Sequence, residues 1–104
     1  MRVISLKPLR DFWERHPPAE NPLRAWYRIA TKAHWGNLNE LRQVYPSADL
    51  VKGDDSAKGK LVIFNIKGND YRLVARIVFE WEFVLVKKVM THAEYSKHRW
   101  KEEM

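Results

Sequence analysis

Residues Leu61 to Tyr95, LVIFNIKGNDYRLVARIVFEWEFVLVKKVMTHAEY, contain three runs rich in β-branched and aromatic side chains: Leu61–Ile66, Tyr71–Phe79 and Phe83–Met90. Such residues suit a pleated, half-buried surface, and the breaks Lys67-Gly68-Asn69-Asp70 and Glu80-Trp81-Glu82 suit tight connections. The stretch predicts a three-stranded antiparallel meander. Alternation puts Leu73, Ala75, Ile77 and Phe79 on one face of the middle strand, and Arg72, Val74, Arg76 and Val78 on the other. One face feeds a core and the other carries two guanidinium groups, about 13 Å apart by strand rise. They are too far apart to grip one phosphate. Lys87 and Lys88 point to opposite faces of a regular strand, so at most one sits with Arg72. His92 and Tyr95 follow directly, so cations, an imidazole and a phenol converge beside one sheet. That set suits phosphodiester chemistry.

Upstream, Met1–Ser5 reads as a short strand. Leu9, Phe12 and Trp13 recur at helical spacing until His16-Pro17-Pro18 ends the pattern. Asn21-Pro22 reads as the N-cap and first position of a second helix with the apolar stripe Leu23, Trp26, Tyr27, Ala30 and Ala33. Arg24, Arg28 and Lys32 lie on its other face. A third helix starts near Asn37, buries Leu38, Leu41 and Val44-Tyr45, and stops at Pro46. Leu50-Val51 reads as a further short strand, and KGDDSAKG before Lys60 as an exposed connection. Beyond Tyr95 the chain is polar apart from Trp100 and reads as a short helix or a frayed end. Trp13 and Trp26 are expected in the core, Trp35 and Trp100 at partly exposed positions, and Trp81 at a hairpin tip.

A chain of 104 residues suits one compact domain, residues 1–104, and 45% apolar with 12% aromatic content argues against disorder. Nineteen Lys and Arg against thirteen Asp and Glu give +6, which favours an anionic partner, nucleic acid first. A merely solvated basic surface has the same composition. With no cysteine there is no disulfide framework and no thiolate metal site. Lys7, Arg10, Asp11, Glu14 and Arg15 interrupt any apolar leader, and no apolar run approaches ~20 residues, so the expectation is a cytoplasmic protein with no membrane partner. His16, His34 and His98 show no metal-ligand spacing and Asp54-Asp55 is a weak basis for one, so no metal or other cofactor is expected. RNA carries its own nucleophile, the 2′-hydroxyl, and can be cleaved by groups that position it, move protons and stabilise the phosphorane. Arg, His, Tyr and Lys therefore favour RNA over DNA as substrate.

The segments Val62-Ile63-Phe64-Asn65-Ile66-Lys67-Gly68-Asn69-Asp70-Tyr71-Arg72-Leu73-Val74 and Thr91-His92-Ala93-Glu94-Tyr95 resemble the signature segments of the HigB family of toxins, the toxic halves of bacterial type II toxin-antitoxin pairs. Arg2-Val3-Ile4-Ser5, Leu9-Arg10-Asp11-Phe12-Trp13 and Pro22-Leu23-Arg24-Ala25-Trp26-Tyr27 are similar too, so the resemblance spans nearly the whole chain. It implies a RelE-like α+β fold, and a ribosome-dependent messenger RNA endonuclease inhibited by a HigA-like helix-turn-helix antitoxin. In the expected arrangement the N-terminal helices pack on one face of a small twisted antiparallel sheet, and the opposite concave face is open to RNA.

From the residues alone, Arg72 and Arg76 read more readily as a solvated strand face with ion pairs to Glu80, Glu82 or a neighbouring strand. His92 and Tyr95 read equally as chemistry or as a strand cap and a core-closing ring. The resemblance tips Arg72, His92 and Tyr95 towards catalysis. Arg76, Lys67, Lys88, Lys60 and Asn65 are then the candidate RNA-binding residues. Trp81 packs under its loop, stacks on a base or meets the antitoxin. Two rival functions remain at this level: a non-catalytic RNA-binding blocker of translation, and a topoisomerase-directed interaction toxin on the related ParE-like fold.

Overall fold

The computed structural model describes residues 1–51, 59–97 and 99–103. Nearly all of the KGDDSAKG connection therefore lies outside the described residues. The strands are β1 (Arg2–Ile4), β2 (Asp49–Leu50), β3 (Lys60–Ile66), β4 (Tyr71–Val78) and β5 (Phe83–Thr91), and the helices are α1 (Lys7–Arg15), α2 (Glu20–Lys32), α3 (Leu38–Val44) and α4 (His92–Ser96). Short 3₁₀ turns span Pro17–Ala19 and Arg99–Glu103. The strands form one sheet in the order β1-β5-β4-β3-β2. The predicted meander is its centre, and the fold is α+β, consistent with a RelE-like topology. The sheet is mixed, however, because β1 joins β5 in parallel, with Val3 opposite Val84.

Helices α3 and α4 start at side-chain caps, whereas α1 and α2 start behind Leu6 and Ala19 without one. Asn37 caps α3 by accepting from Glu40 N–H at 2.9 Å. The predicted Asn21 cap of α2 is not used, because the Pro17–Ala19 turn runs straight into the helix, which begins at Glu20 behind Ala19. On one face of the sheet, Leu9, Phe12, Leu23, Trp26 and Leu41 close over Val62, Phe64, Leu73, Ala75 and Ile77. Trp26 and Tyr45 meet the Phe64 ring edge-on, at centroid distances of 5.4 and 5.3 Å. Each such large side chain contributes roughly 1.5–3 kcal/mol on burial. Val44 turns outward at 48% exposure, against expectation, while Trp35 is buried.

The opposite face corrects the expectation of an open concave surface. Val51, Leu61, Ile63, Val74, Met90 and Trp100 form a second apolar cluster there, with Tyr95 packed against it. Trp100, expected near solvent, is only 2% exposed, and its indole N–H donates to Tyr95 O at 3.1 Å. The polar C-terminal stretch thus folds back because one indole has apolar area to cover.

A β-bulge in β5 corrects the alternation argument. Val74 pairs with Lys88 and Ala75 with Val86, which leaves Lys87 as the extra residue. Val84, Val86 and Val89 face the helices, while Met90 faces the second cluster. Lys88 sits in register with Val74 on the Arg72 side, so the bulge settles which of the two lysines shares that face.

Candidate active site

The THAEY segment has a local structural cause. Thr91 hydroxyl accepts from Glu94 N–H at 3.2 Å, and Glu94 carboxylate accepts from Thr91 N–H at 3.0 Å. This reciprocal capping box starts α4 immediately after β5. His92 N–H donates to Asp70 O at 3.0 Å, which ties the first residue of α4 to the β3–β4 turn. The His92 side chain is exposed at that rim. One helical turn on, Tyr95 is half-buried, its ring stacked on Trp100 at 5.6 Å.

Arg72 is not the solvated strand residue that alternation suggested. It is 8% exposed. One terminal nitrogen donates to Asn69 O and Tyr71 O, each at 3.1 Å, and the other reaches Asn69 Oδ1 at 3.4 Å. Its guanidinium lies 5.1 Å from the centre of the Tyr95 ring. The Asn69 carbonyl is available because Lys67 and Gly68, at φ 52° and 63°, curl the turn. Gly68 takes the left-handed backbone expected of it, and Lys67 takes it too. Arg72 thus sits behind Tyr95 as a clamped cation, with both hydrogens of one terminal nitrogen given to the turn.

The other candidates divide between the two ends of the sheet. Asn65 pairs with Arg72, and Lys67 follows in the turn, where its ammonium meets Asp70 at 3.0 Å. Arg76 and Lys60 lie at the far end. Arg76 pairs with Leu61 and donates to Gly59 O at 3.3 Å, and the exposed Lys60 is opposite Ile77. The second apolar cluster lies between Arg76 and α4.

Sequence reasoning passed over two groups that the fold adds. Donation from Thr91 N–H holds the Glu94 carboxyl below its usual range, burial opposes this, and the Thr91 hydroxyl and the charges of Lys88 and His16 lower it further. His16 stacks on Phe12 at 4.4 Å and lies 6.1 Å from Tyr71, so the end of α1 delivers a second imidazole near α4. Nothing in a sequence separation of this size announces that meeting. The T-x-x-E spacing of the capping box was legible. Among the described residues, no three His, Asp or Glu side chains gather as a metal-ligand set.

Residues 19–98 match the HigB_toxin family, described as the RelE-like toxic component of a toxin-antitoxin system. The chain is 35% identical over 96 residues to the mRNA interferase toxin HigB of Escherichia coli (strain K12), covering 92% of this chain and 88% of the relative. It is likewise 35% identical to the mRNA interferase HigB of Shigella flexneri, and 28% identical over 97 residues to that of Escherichia coli O6:H1. With the fold, the quoted segments and a match over most of its length in agreement, the chain belongs to the HigB toxin family.

Proposed function

We propose that this protein is the toxin of a type II toxin-antitoxin pair and acts as an endoribonuclease that cuts messenger RNA on the ribosome. The observation that carries the reading is the grouping at one end of the sheet: exposed His92, Tyr95 beside it, and the Arg72 cation behind the Tyr95 ring. The 2′-hydroxyl oxygen attacks the adjacent phosphorus, the bond to the 5′-oxygen breaks, and a 2′,3′-cyclic phosphate and a 5′-hydroxyl end result. His92 transfers a proton in this displacement, and no metal ion is needed. Tyr95 stacks on or orients a nucleotide. Arg72 fixes Tyr95 and adds positive charge near the phosphorane from behind it. Asn65, Lys67 and Lys88 serve the RNA near the cut, and Arg76 and Lys60 serve it at the far end of the sheet. A chain with few groups for reading bases gains from a ribosome that presents the messenger in a fixed geometry.

The partner in this reading is a HigA-like helix-turn-helix antitoxin that obstructs access of RNA, and the site of action is the cytoplasm. No helix among the described residues is long and apolar enough to cross a membrane. The test is to map messenger 5′ ends after brief expression, with and without a block of translation initiation. New 5′-hydroxyl ends that vanish under the block are expected. Growth arrest without new ends would favour the non-catalytic blocker, and DNA breaks without RNA ends the topoisomerase-directed toxin.

A further inference from the structure

β1 covers β5 only over Phe83–Leu85. At Ser5, with φ 77°, the chain leaves that edge and enters α1, which packs beside the rest of β5. Between them is a cavity of about 320 Å³. Lys7, Pro8, Asp11 and Arg15 line its α1 side, and Lys87, Lys88 and Val89 line its β5 side. The bulge is the reason that two consecutive lysines border one groove, where a regular strand would have separated them. Four cations thus surround one carboxylate, and that carboxylate, Asp11, is already engaged by Lys7 at 2.6 Å. Arg15 is held beside the cavity by its contact with the Phe12 ring and a 3.4 Å bond to Asp11 O. The groove is also continuous with the site. Lys87, Lys88 and Val89 stand on the last part of β5, which runs directly into α4 at His92.

We infer that this groove is a subsite for the phosphodiester backbone of single-stranded RNA flanking the bond cut at His92, an inference that rests on the nuclease reading above. Ligand pockets span about 300–1,000 Å³, so this cavity suits about one nucleotide and excludes a duplex. Lys87 and Arg15 contact the phosphate, while Pro8 and Val89 give the sugar an apolar wall. Asp11 sets a limit on charge density and disfavours a second phosphate in the same space.

The test uses the full chain, ¹⁵N-labelled, titrated with a 2′-O-methyl RNA hexanucleotide that cannot be cut. Amide shifts are expected at Lys7, Arg15 and Lys87 to Val89. Arg15→Gln and Lys87→Gln should each weaken binding several-fold and flatten the plot of log affinity against log salt by about 0.7 for each phosphate no longer neutralised. Lys87 occupies an exposed bulge position, so its variant preserves the test if Arg15→Gln disturbs α1. No binding by the wild-type chain, no shifts in the groove, or an unchanged affinity and salt slope in Lys87→Gln would overturn the proposal. Tighter binding of hexaglutamate than of RNA at the same residues would overturn it in favour of an acidic protein segment. Because the probe cannot be cleaved, RNA bound in the groove of a protein that generates no 5′ ends in cells would sink the nuclease reading and leave the groove standing.

Discussion

Replacing Arg72 by Ala should destabilise the whole domain. The guanidinium is 8% exposed, makes hydrogen bonds to Asn69 and Tyr71, and lies 5.1 Å from the Tyr95 ring centre. A hydrogen bond from a charged donor contributes about 1.5–3 kcal/mol, and a partly desolvated cation–π contact about 0.5–2 kcal/mol. Asn69 is exposed, so its carbonyl can recover a water, and the lower ends of both ranges apply. With the packing beneath Tyr95 also removed, the net cost is about 3 kcal/mol, a large part of a typical ~5–15 kcal/mol stability. At about 4–8 °C per kcal/mol for a domain near this size, melting should fall by roughly 12–24 °C. Thermal unfolding of wild type, Arg72→Ala, Tyr95→Leu and the double variant checks this. A coupling energy of about 0.5–1 kcal/mol between the two positions is expected. Arg72→Met, which retains the stem, should lie between Ala and wild type. An Arg72→Ala protein melting within about 2 °C of wild type, or a coupling indistinguishable from zero, would refute the clamp. Loss of toxicity in Arg72→Ala is therefore interpretable only beside its melting curve.

His92→Gln should slow single-turnover cleavage by about 10²-fold or more while ribosome binding stays within a factor of two or three, since Gln retains hydrogen bonding but cannot relay the proton; equal losses in both would make His92 a binding residue. Thr91→Ala should fray α4 at a cost of about 1 kcal/mol by removing the capping box, seen as faster amide exchange at Glu94 and Tyr95. Glu94 is depressed in the folded chain, so its contribution is present above its unfolded pKa and lost as pH falls through the lower folded value. Acid should therefore loosen α4 in wild type more than in Glu94→Gln, and equal acid sensitivity of the two would count against this. The Tyr45 hydroxyl is buried without a hydrogen-bond partner among the described residues, and burial pushes its pKa up to about 12. A raised folded pKa contributes stability below the unfolded value that is lost as pH rises through the folded one, so Tyr45→Phe should match or exceed wild-type stability at pH 7 and lose less above pH ~10.

The sequence by itself determined the elements. Leu61–Ile66, Tyr71–Phe79 and Phe83–Met90 are β-branched and aromatic runs between polar breaks, Leu9, Phe12 and Trp13 recur at helical spacing, and T-x-x-E is a helix-start spacing, because these signals are local and act through backbone geometry. The His92–Tyr95 spacing was legible for the same reason. Tertiary structure alone decided what each sheet face meets. Trp100 covers the face expected to be open, and Tyr95 stacked on it lies over the buried Arg72, because whether a distant indole returns depends on uncovered apolar area rather than on neighbouring residues. Register likewise escaped the sequence: one extra residue at Lys87 placed Lys88 on the Arg72 side and brought Lys87 to the same groove, since a bulge is a property of two paired strands and does not follow from the alternation of one. His16 and Glu94 lie at opposite ends of the chain, and only the packing of α1 along β5 puts an imidazole, an ammonium and a carboxylate at one end of the sheet.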